Sequence, residues 1–495
     1  MTLDKAENHK IYTGSAVSQI DRNAIEHFAV PSYALMCEAG AIAFEQLKVQ
    51  FPQCNQIVIL CGTGNNGGDG YVVAQLAQSQ GYDVQVIAPN PPGTPDAIRA
   101  CNDYLESGGS IRHDVPTALT QQAVIVDALL GTGIKDSPRE PFASLIRWAN
   151  EQTCSRMAID VPSGVDSDTG KVYGDAFNAN LSLTFIAHKL GLLTGPAANF
   201  TGRVILKSLT LPQAAAQNVS EAAHLLLQPT LNHRQPDTHK GSYGHALIIG
   251  GSTGMLGAGI LASEAALRNG AGKVHLLSDH PLIALASVTR PEIMTADLSQ
   301  VDDLLAKISA VAIGPGLGHA ESAKQLLCQA LAANKPTVID ADGLGLLKTT
   351  LTAAPNTRVP SACILTPHPG EAAFLLDTTI SQIQNDRLAA ATEIAQRFSA
   401  VCVLKGHGTL IAALNTTTLV CNIGNPGMAT AGTGDVLTGI LVALLAQGYS
   451  AIKAAEIGVW LHSRAADIAL NSLHPSSLLA SDITHHLSDA WREAS

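Results

Sequence analysis

Twice along this chain, short Val/Ile/Leu-rich runs alternate with longer amphipathic stretches, and this repetition restricts the fold more than any other feature. A strand that is apolar on successive residues has to be covered on both faces, and parallel strands need a crossover, usually helical, between them. The first series predicts strands at 56–61, 84–88, 123–126, 157–159, 181–186 and 204–206, with helices such as 70–80 and 95–106 between them. A second series predicts strands at 246–249, 274–277, 310–313, 337–339, 363–365 and 400–404. Between the two lies a polar stretch carrying Pro212, Pro229 and Pro236. The reading is an α/β chain of two domains, residues 1–215 and 236–495, with a linker at 216–235; 495 residues leave room for both.

Several function classes drop out on charge and composition. A net charge of −11 argues against a sequence-independent grip on nucleic acid, which needs basic surface. It does not oppose anionic ligands, because backbone N–H groups and helix N-termini hold phosphate without Lys or Arg. The longest apolar run of helical character, 436–446, is too short to span a bilayer, so no membrane partner is expected. Residues 1–10 are polar and lack an apolar secretory core. Nine dispersed cysteines, without a CxxC pair or zinc-type spacing, read as reduced thiols of a cytoplasmic protein.

In the first half, the strand ending at Cys61 runs into Gly62-Thr63-Gly64-Asn65-Asn66-Gly67-Gly68-Asp69-Gly70, and a helix follows. This is GxGxxG in the strand–turn–helix setting of a dinucleotide site, where bare backbone approaches a phosphate. The ordinary alternative is a tight βα turn. Two features oppose a standard NAD dehydrogenase: the next strand leads into Pro89-Asn90-Pro91 rather than a ribose-binding acid, and Asn65, Asn66 and Asp69 exceed what phosphate cradling needs. Other strand ends supply Asp127, then Gly131-Thr132-Gly133-Ile134-Lys135-Asp136-Ser137, and Asp160 through Ser163 to Asp166. Ligands of open α/β sheets bind at such ends. Oxygens of Asn66, Asp127 and Ser163 would suit a monovalent cation, since magnesium and calcium usually recruit more negative charge. Asp127 and Asp160 read equally well as turn caps.

In the second half the strongest signal is Gly432-Thr433-Gly434-Asp435, opening an apolar helix. It combines bare amides with the positive end of a helix dipole, and sets a carboxylate on the lip of an anion site. That carboxylate is expected to act as acid or base on a hydroxyl, with an N-cap role as the alternative. The flank 425–431 reads as a mobile closing loop. Further strand ends carry Gly314-Pro315-Gly316-Leu317-Gly318, Thr366-Pro367-His368-Pro369-Gly370-Glu371 and Lys405-Gly406-His407-Gly408-Thr409.

These strings resemble known families. The first half, through its Asn65–Gly70 turn, Asp160–Asp166 and Ala187-His188-Lys189-Leu190-Gly191, resembles the NAD(P)H-hydrate epimerase domain of the YjeF N-terminal type, Rossmann-like and three-layered α/β/α. The resemblance implies that Asn65, Asn66, Gly67, Gly68, Asp69, Gly131, Thr132, Gly133, Ile134, Lys135, Asp136, Ser137 and Asp160 line the hydrated dinucleotide. It gives potassium to Asn66, Asp127 and Ser163, and Asp160 is expected to transfer the proton. The second half, from Lys240-Gly241-Ser242-Tyr243-Gly244 to the Asp435 string, resembles the ribokinase-like superfamily, and within it ADP-dependent (S)-NAD(P)H-hydrate dehydratase. By that resemblance Gly259, Gly316 or Gly318, His368 and Asp435 contact the substrate. Lys405, Gly406, His407, Gly408, Thr409 and Gly434 hold ADP, with magnesium expected alongside. The function expected is repair of hydrated NADH and NADPH by epimerisation and ADP-dependent dehydration, in a homo-oligomer. The alternative is a ribokinase-like small-molecule kinase fused to a non-catalytic dinucleotide-binding module.

Overall fold

A computed structural model describes residues 9–231 and 234–495. The polar start at 1–8 and positions 232–233 of the expected linker lie outside the described residues. The chain divides into two compact units, Met1–His224 and Leu225–Ser495. The division falls inside the stretch 216–235 expected as a linker, part of which is a strand, Ala223–Leu225.

In the first unit seven strands form one parallel sheet, running spatially from Ile111–Arg112 through Asp83–Ile87, Gln56–Cys61, Ala123–Ala128, Ser155–Ile159 and Leu181–Phe185 to Arg203–Lys207. Alternation along each strand explains the apolar runs. Ile57 and Ile59 pack with the helices Gly14–Phe28, Ser32–Gln50 and Asn65–Ser79, while Val58 and Leu60 face the helix Phe142–Glu151. Both faces are covered, so neither register has a polar side. Outside that seven-stranded sheet, Lys10–Tyr12 pairs with His188–Lys189 in parallel and with Ala223–Leu225 antiparallel.

The second unit carries seven parallel strands, in the order Met294–Ala296, Lys273–Leu277, His245–Ile249, Ala310–Ile313, Thr337–Ile339, Cys363–Leu365 and Val401–Leu404. Two antiparallel strands, Thr409–Ala412 and Leu419–Cys421, extend that edge. The apolar run becomes the helix Thr433–Ala446, buried at every residue from Val436 to Ala446. It packs into the same core as Ala262, Ile248, Ala312 and Val338. An all-round apolar helix belongs in a core, and among the described residues no helix is long and apolar enough to cross a membrane. Its Gly439 faces the backbone of the helix Leu256–Arg268, where an added Cβ would lie 2.1 Å from the Ala262 carbonyl oxygen.

Strand order also places the ligand crevices. In the first sheet the connections reverse between Gln56–Cys61 and Ala123–Ala128; in the second they reverse between His245–Ile249 and Ala310–Ile313. Loops leaving the carboxyl ends at such points splay apart and leave a cleft.

Candidate active sites

At the switch point of the first sheet lies a cavity of about 580 Å³. Its walls include Thr63, Gly64, Asn65, Asn66 and Asp69 from one strand end, Leu129 through Ile134 from the next, and Asp160 from a third. The structure thus gathers Asn65, Asn66, Asp69, Gly131, Thr132, Gly133, Ile134 and Asp160 around one space. It does not bring all of the expected set there. The helix begins at Asn65, earlier than expected, so Gly67 and Gly68 lie within its first turns and face protein. A Cβ at 67 would meet the Gly62 carbonyl oxygen at 2.1 Å, and one at 68 would meet Met36 Cε at 2.5 Å. Close packing by itself requires glycine there. Lys135, Asp136 and Ser137 are also off the wall; Lys135 Nζ pairs with Asp168 at 3.2 Å.

Asp160 follows its strand with φ 65°, a left-handed conformation that a non-glycine residue holds only when its surroundings over-determine it. Those surroundings are plain. Lys189 Nζ, on a side chain 1% exposed, donates to Asp160 Oδ1 at 2.6 Å. The same ammonium donates to Thr184 Oγ1 at 2.8 Å and the Phe185 carbonyl at 3.2 Å. Thr184 Oγ1 and the Phe185 amide also donate to Asp160, at 3.2 and 3.4 Å. Asp160 is therefore a braced carboxylate at the cavity wall. Beside it, burial pushes the Asp69 carboxyl well up, helped by the charges of Asp160 and Asp21.

Asp127 and Ser163 meet directly, and Asn66 joins them through Leu130, to which both Asn66 and Ser163 bond. Asp127 is fully buried; its Oδ1 accepts from Ser163 Oγ at 2.7 Å and the Leu129 amide at 3.1 Å, and its Oδ2 accepts from the Ser163 amide at 2.7 Å. Burial raises its carboxyl to about 6, against the pull of the Ser163 hydrogen bonds. Asn66 Nδ2 donates to the Leu130 carbonyl at 3.0 Å, while Asn66 Oδ1 is buried with no donor among the described groups. An orphaned amide oxygen on a residue that shares Leu130 with the Asp127–Ser163 pair fits a monovalent cation.

In the second unit the chemistry converges on a buried ion pair. Asp340 stands at the end of the strand Thr337–Ile339 and is 1% exposed. Lys405 Nζ donates to its Oδ1 at 2.7 Å, and Thr438 Oγ1, on the helix Thr433–Ala446, donates to its Oδ2 at 2.8 Å. Glu371 Oε2 lies 3.8 Å from the same ammonium. Burial alone would lower Lys405; Asp340 and Glu371 hold it above its usual value. An added Cβ at Gly434 would sit 3.4 Å from that nitrogen, which ties the Gly432–Asp435 turn to the pair.

Asp435 does not cap the helix. Gly432, at φ 90°, is the N-cap, and no side chain caps the turn. The Asp435 carboxyl rises to about 7, through burial first and then through Asp340 and Asp342, against Lys405. His368 does cap: its Nδ1 accepts from the Gly370 and Glu371 amides at 2.9 and 3.2 Å, and Glu371 Oε2 accepts from the His368 amide at 2.7 Å. With Nδ1 an acceptor, the neutral ring carries its proton on Nε2. His368 lines a cavity of about 370 Å³ together with His319, Asp342 and Glu371. Gly318 reaches this wall by donating its amide to Asp342 Oδ2 at 2.8 Å. Gly316 packs under Met255, whose Cβ would be 2.6 Å from an added one, and Gly259 packs against Leu276.

Within 405–409, Gly406, His407 and Gly408 form the turn between two strands. Thr409 already belongs to the second strand, its backbone paired with Cys421, and its Oγ1 donates to the Gly406 carbonyl at 2.9 Å. The flank expected to be mobile is tethered: Asn425 Nδ2 and the Gly424 amide both donate to Asp467 at 3.0 Å, and Asn425 Oδ1 accepts from the Gly427 amide.

A family model described as YjeF-related protein N-terminus matches residues 32–191, and one described as NAD(P)H-hydrate dehydratase matches residues 246–488. A bifunctional NAD(P)H-hydrate repair enzyme of Coxiella burnetii is 41% identical over 488 residues, covering 96% of this chain and 98% of the relative. The chain belongs to the family of bifunctional NAD(P)H-hydrate repair enzymes. The repair enzyme of Escherichia coli is 39% identical and covers 96% of the chain and 92% of its own length. A ribokinase-like superfamily protein of Enterococcus faecalis matches with a TM-score of 0.50 at 27% identity, covering 55% of this chain and 94% of that one. These matches support the repair-enzyme reading over the kinase alternative.

In this family member, sequence reasoning quoted Lys189 within a motif but gave it no role, and passed over Asp340 and Arg387. Lys189 is the one charged residue after a mostly apolar strand. Asp340 falls to the strand-end rule that singled out Asp127 and Asp160. Arg387, buried, braces the 405–408 turn by donating to the Leu404 and Lys405 carbonyls, both at 3.2 Å, and no local pattern marks it. Asp160→Asn keeps the shape but weakens the charge-assisted contact with Lys189. Epimerisation is expected to fall by about 10²-fold or more, read as interconversion of separated epimers without nucleotide. An unchanged rate removes Asp160 from proton transfer.

Proposed function

We propose that this chain repairs hydrated NADH and NADPH, its first unit interconverting the R and S epimers and its second dehydrating the S form at the expense of ADP. The observation that carries the reading is Asp435: a carboxyl free of capping duty, near neutrality, at a helix start beside a buried Lys405–Asp340 pair. Hydroxide is a poor leaving group, so its oxygen is first phosphorylated. Asp435 takes the hydroxyl proton as the oxygen bonds to the terminal phosphorus of ADP and the phosphoanhydride breaks, releasing AMP. Amides of the Gly432–Gly434 turn stabilise the phosphoryl group in flight. Phosphate then departs with the carbon–oxygen bond, a neighbouring carbon loses a proton, and the dihydronicotinamide is restored.

Gly434 and the Lys405–Thr409 turn are the proposed nucleotide contacts, with Gly318 and His368 on the substrate side. Magnesium is expected to arrive on the nucleotide, because it is commonly held by one or two carboxylates plus phosphates, and among the described residues no group of three or more His, Cys, Asp or Glu forms a metal cluster. Potassium would be held by Asn66, Asp127 and Ser163, supplying charge near the substrate's anionic groups. Nine unpaired cysteines suit the proposed cytoplasmic setting. A homo-oligomer is part of the reading, checked by light scattering.

Incubating the S epimer with ADP and magnesium tests the second unit. One AMP and one phosphate per cofactor restored support it; a stable phosphorylated dinucleotide marks a kinase.

A further inference from the structure

The first cavity has an imbalance of charge that the assigned residues leave unexplained. Four carboxyl groups line it: Asp21 from the helix Gly14–Phe28, Asp69 from the helix Asn65–Ser79, Asp96 from the helix Pro95–Glu106, where it accepts from Ser32 Oγ at 2.5 Å, and Asp160. Among the described lining residues the one cationic side chain is Lys189, and its ammonium is spent on Asp160, Thr184 and the Phe185 carbonyl. Asp160 therefore has its counter-charge and donors. No protein hydrogen bond to the carboxyls of Asp21 and Asp69 is present among the described residues. Four carboxyl groups against one ammonium in a half-buried space oppose one another's ionisation, which favours a shared proton there.

The neighbours of Asp21 and Asp69, the two acids without a protein hydrogen bond among the described residues, differ. Asp69 faces only anions, Asp160 and Asp21, and burial together with their charges holds its carboxyl well above the usual carboxylate range. Asp21 is raised by burial, then by Asp160 and Asp96, yet Arg22 and Lys189 pull the other way. Its anion has cations in range once the proton is given up, and an acid that both gives and regains its proton is what an epimerase needs.

We propose that Asp21 is the proton donor of the epimerase half, acting beside the fixed Asp160–Lys189 pair. The inference rests on the epimerase reading above. Water adding to an enamine leaves the hydroxyl on the carbon bonded to the ring nitrogen. Asp21 gives its proton to that hydroxyl, the carbon–oxygen bond breaks, water leaves, and the nitrogen lone pair closes to an iminium. Water then attacks the other face of the carbon, and its surplus proton returns to Asp21. Nothing is oxidised or reduced, and no co-reactant besides water is consumed.

The test uses the full chain without nucleotide, the separated R epimer, and water enriched in oxygen-18. Wild type is expected to form the S epimer with the heavy oxygen in its hydroxyl. D21N is expected to lose about 10²-fold in kcat with KM little changed, and D21E to restore part of it. A D21N enzyme at wild-type kcat, or wild-type epimerisation that retains the original oxygen, overturns the assignment. Wild type without any epimerisation sinks the epimerase reading itself, and this inference with it. Should D21N lose its melting transition, D21E decides: an altered kcat and a displaced pH profile support Asp21, and an unaltered profile overturns it.

Discussion

Asp435→Asn is expected to lower the dehydration rate by about 10²- to 10⁴-fold while the KM values for ADP and substrate stay near wild type. The substitution is isosteric, and the helix start does not depend on the side chain, because Gly432 is the N-cap. What is lost is the base. In the wild-type enzyme the same carboxyl sets the pH dependence. Raised to about 7 by burial and by Asp340 and Asp342, it becomes a base only when ionised, so kcat climbs with pH through that value and levels off above. Stability runs the opposite way. A carboxyl whose native value is raised binds more protons folded than unfolded, so wild-type stability falls as pH rises from about 4 to about 7 and stays low above. At 1.36 kcal/mol per unit the penalty is at most ~4 kcal/mol. Asp435→Asn is therefore expected to melt above wild type at about pH 8 and close to it at about pH 4. A variant less stable at both pH values would show that the carboxylate serves structure.

Lys405→Met is expected to destabilise the second unit by ~3 kcal/mol, read from the denaturant midpoint, and to abolish dehydration. Lys405 and Asp340 form a pair in which the carboxylate is buried and, among the described residues, has one further side-chain donor, Thr438. Removing one member strands a buried charge, which costs far more than an exposed ion pair contributes. The double variant Lys405→Met, Asp340→Asn is expected to recover much of the stability but none of the activity. Loss of stability by the double variant equal to the sum of its parts would mean that the two side chains act independently.

The sheets were legible because they are buried on both faces: a strand such as Gln56–Cys61 announces itself by an unbroken apolar run. The short pieces were not, since His188–Lys189 and Ala223–Leu225 hold by pairing with Lys10–Tyr12, which no local pattern encodes. Loop chemistry was legible where a strand end carried a lone acid, as at Asp127 and Asp160. Gly67 and Gly68 of the Asn65–Gly70 string pack against protein, a use that sequence does not separate from ligand approach, because a glycine that admits a ligand and one that admits a neighbouring group look alike there. His368 shows the converse case: its paired prolines do mark a rigid residue, and part of that rigidity is the cap it forms on its own helix. Lys405 illustrates the hardest case, a lysine in a glycine-rich turn that points inward to Asp340.

The most direct measurement of the central claim is a single absorbance trace of reduced nicotinamide. The enzyme is mixed with both epimers of hydrated NADH, magnesium, potassium and ADP. Complete recovery of NADH is predicted, since the first unit feeds the R epimer to the second as the S form is consumed. Recovery that halts at the S fraction would contradict an active first unit, and no recovery with either ADP or ATP would contradict the dehydratase.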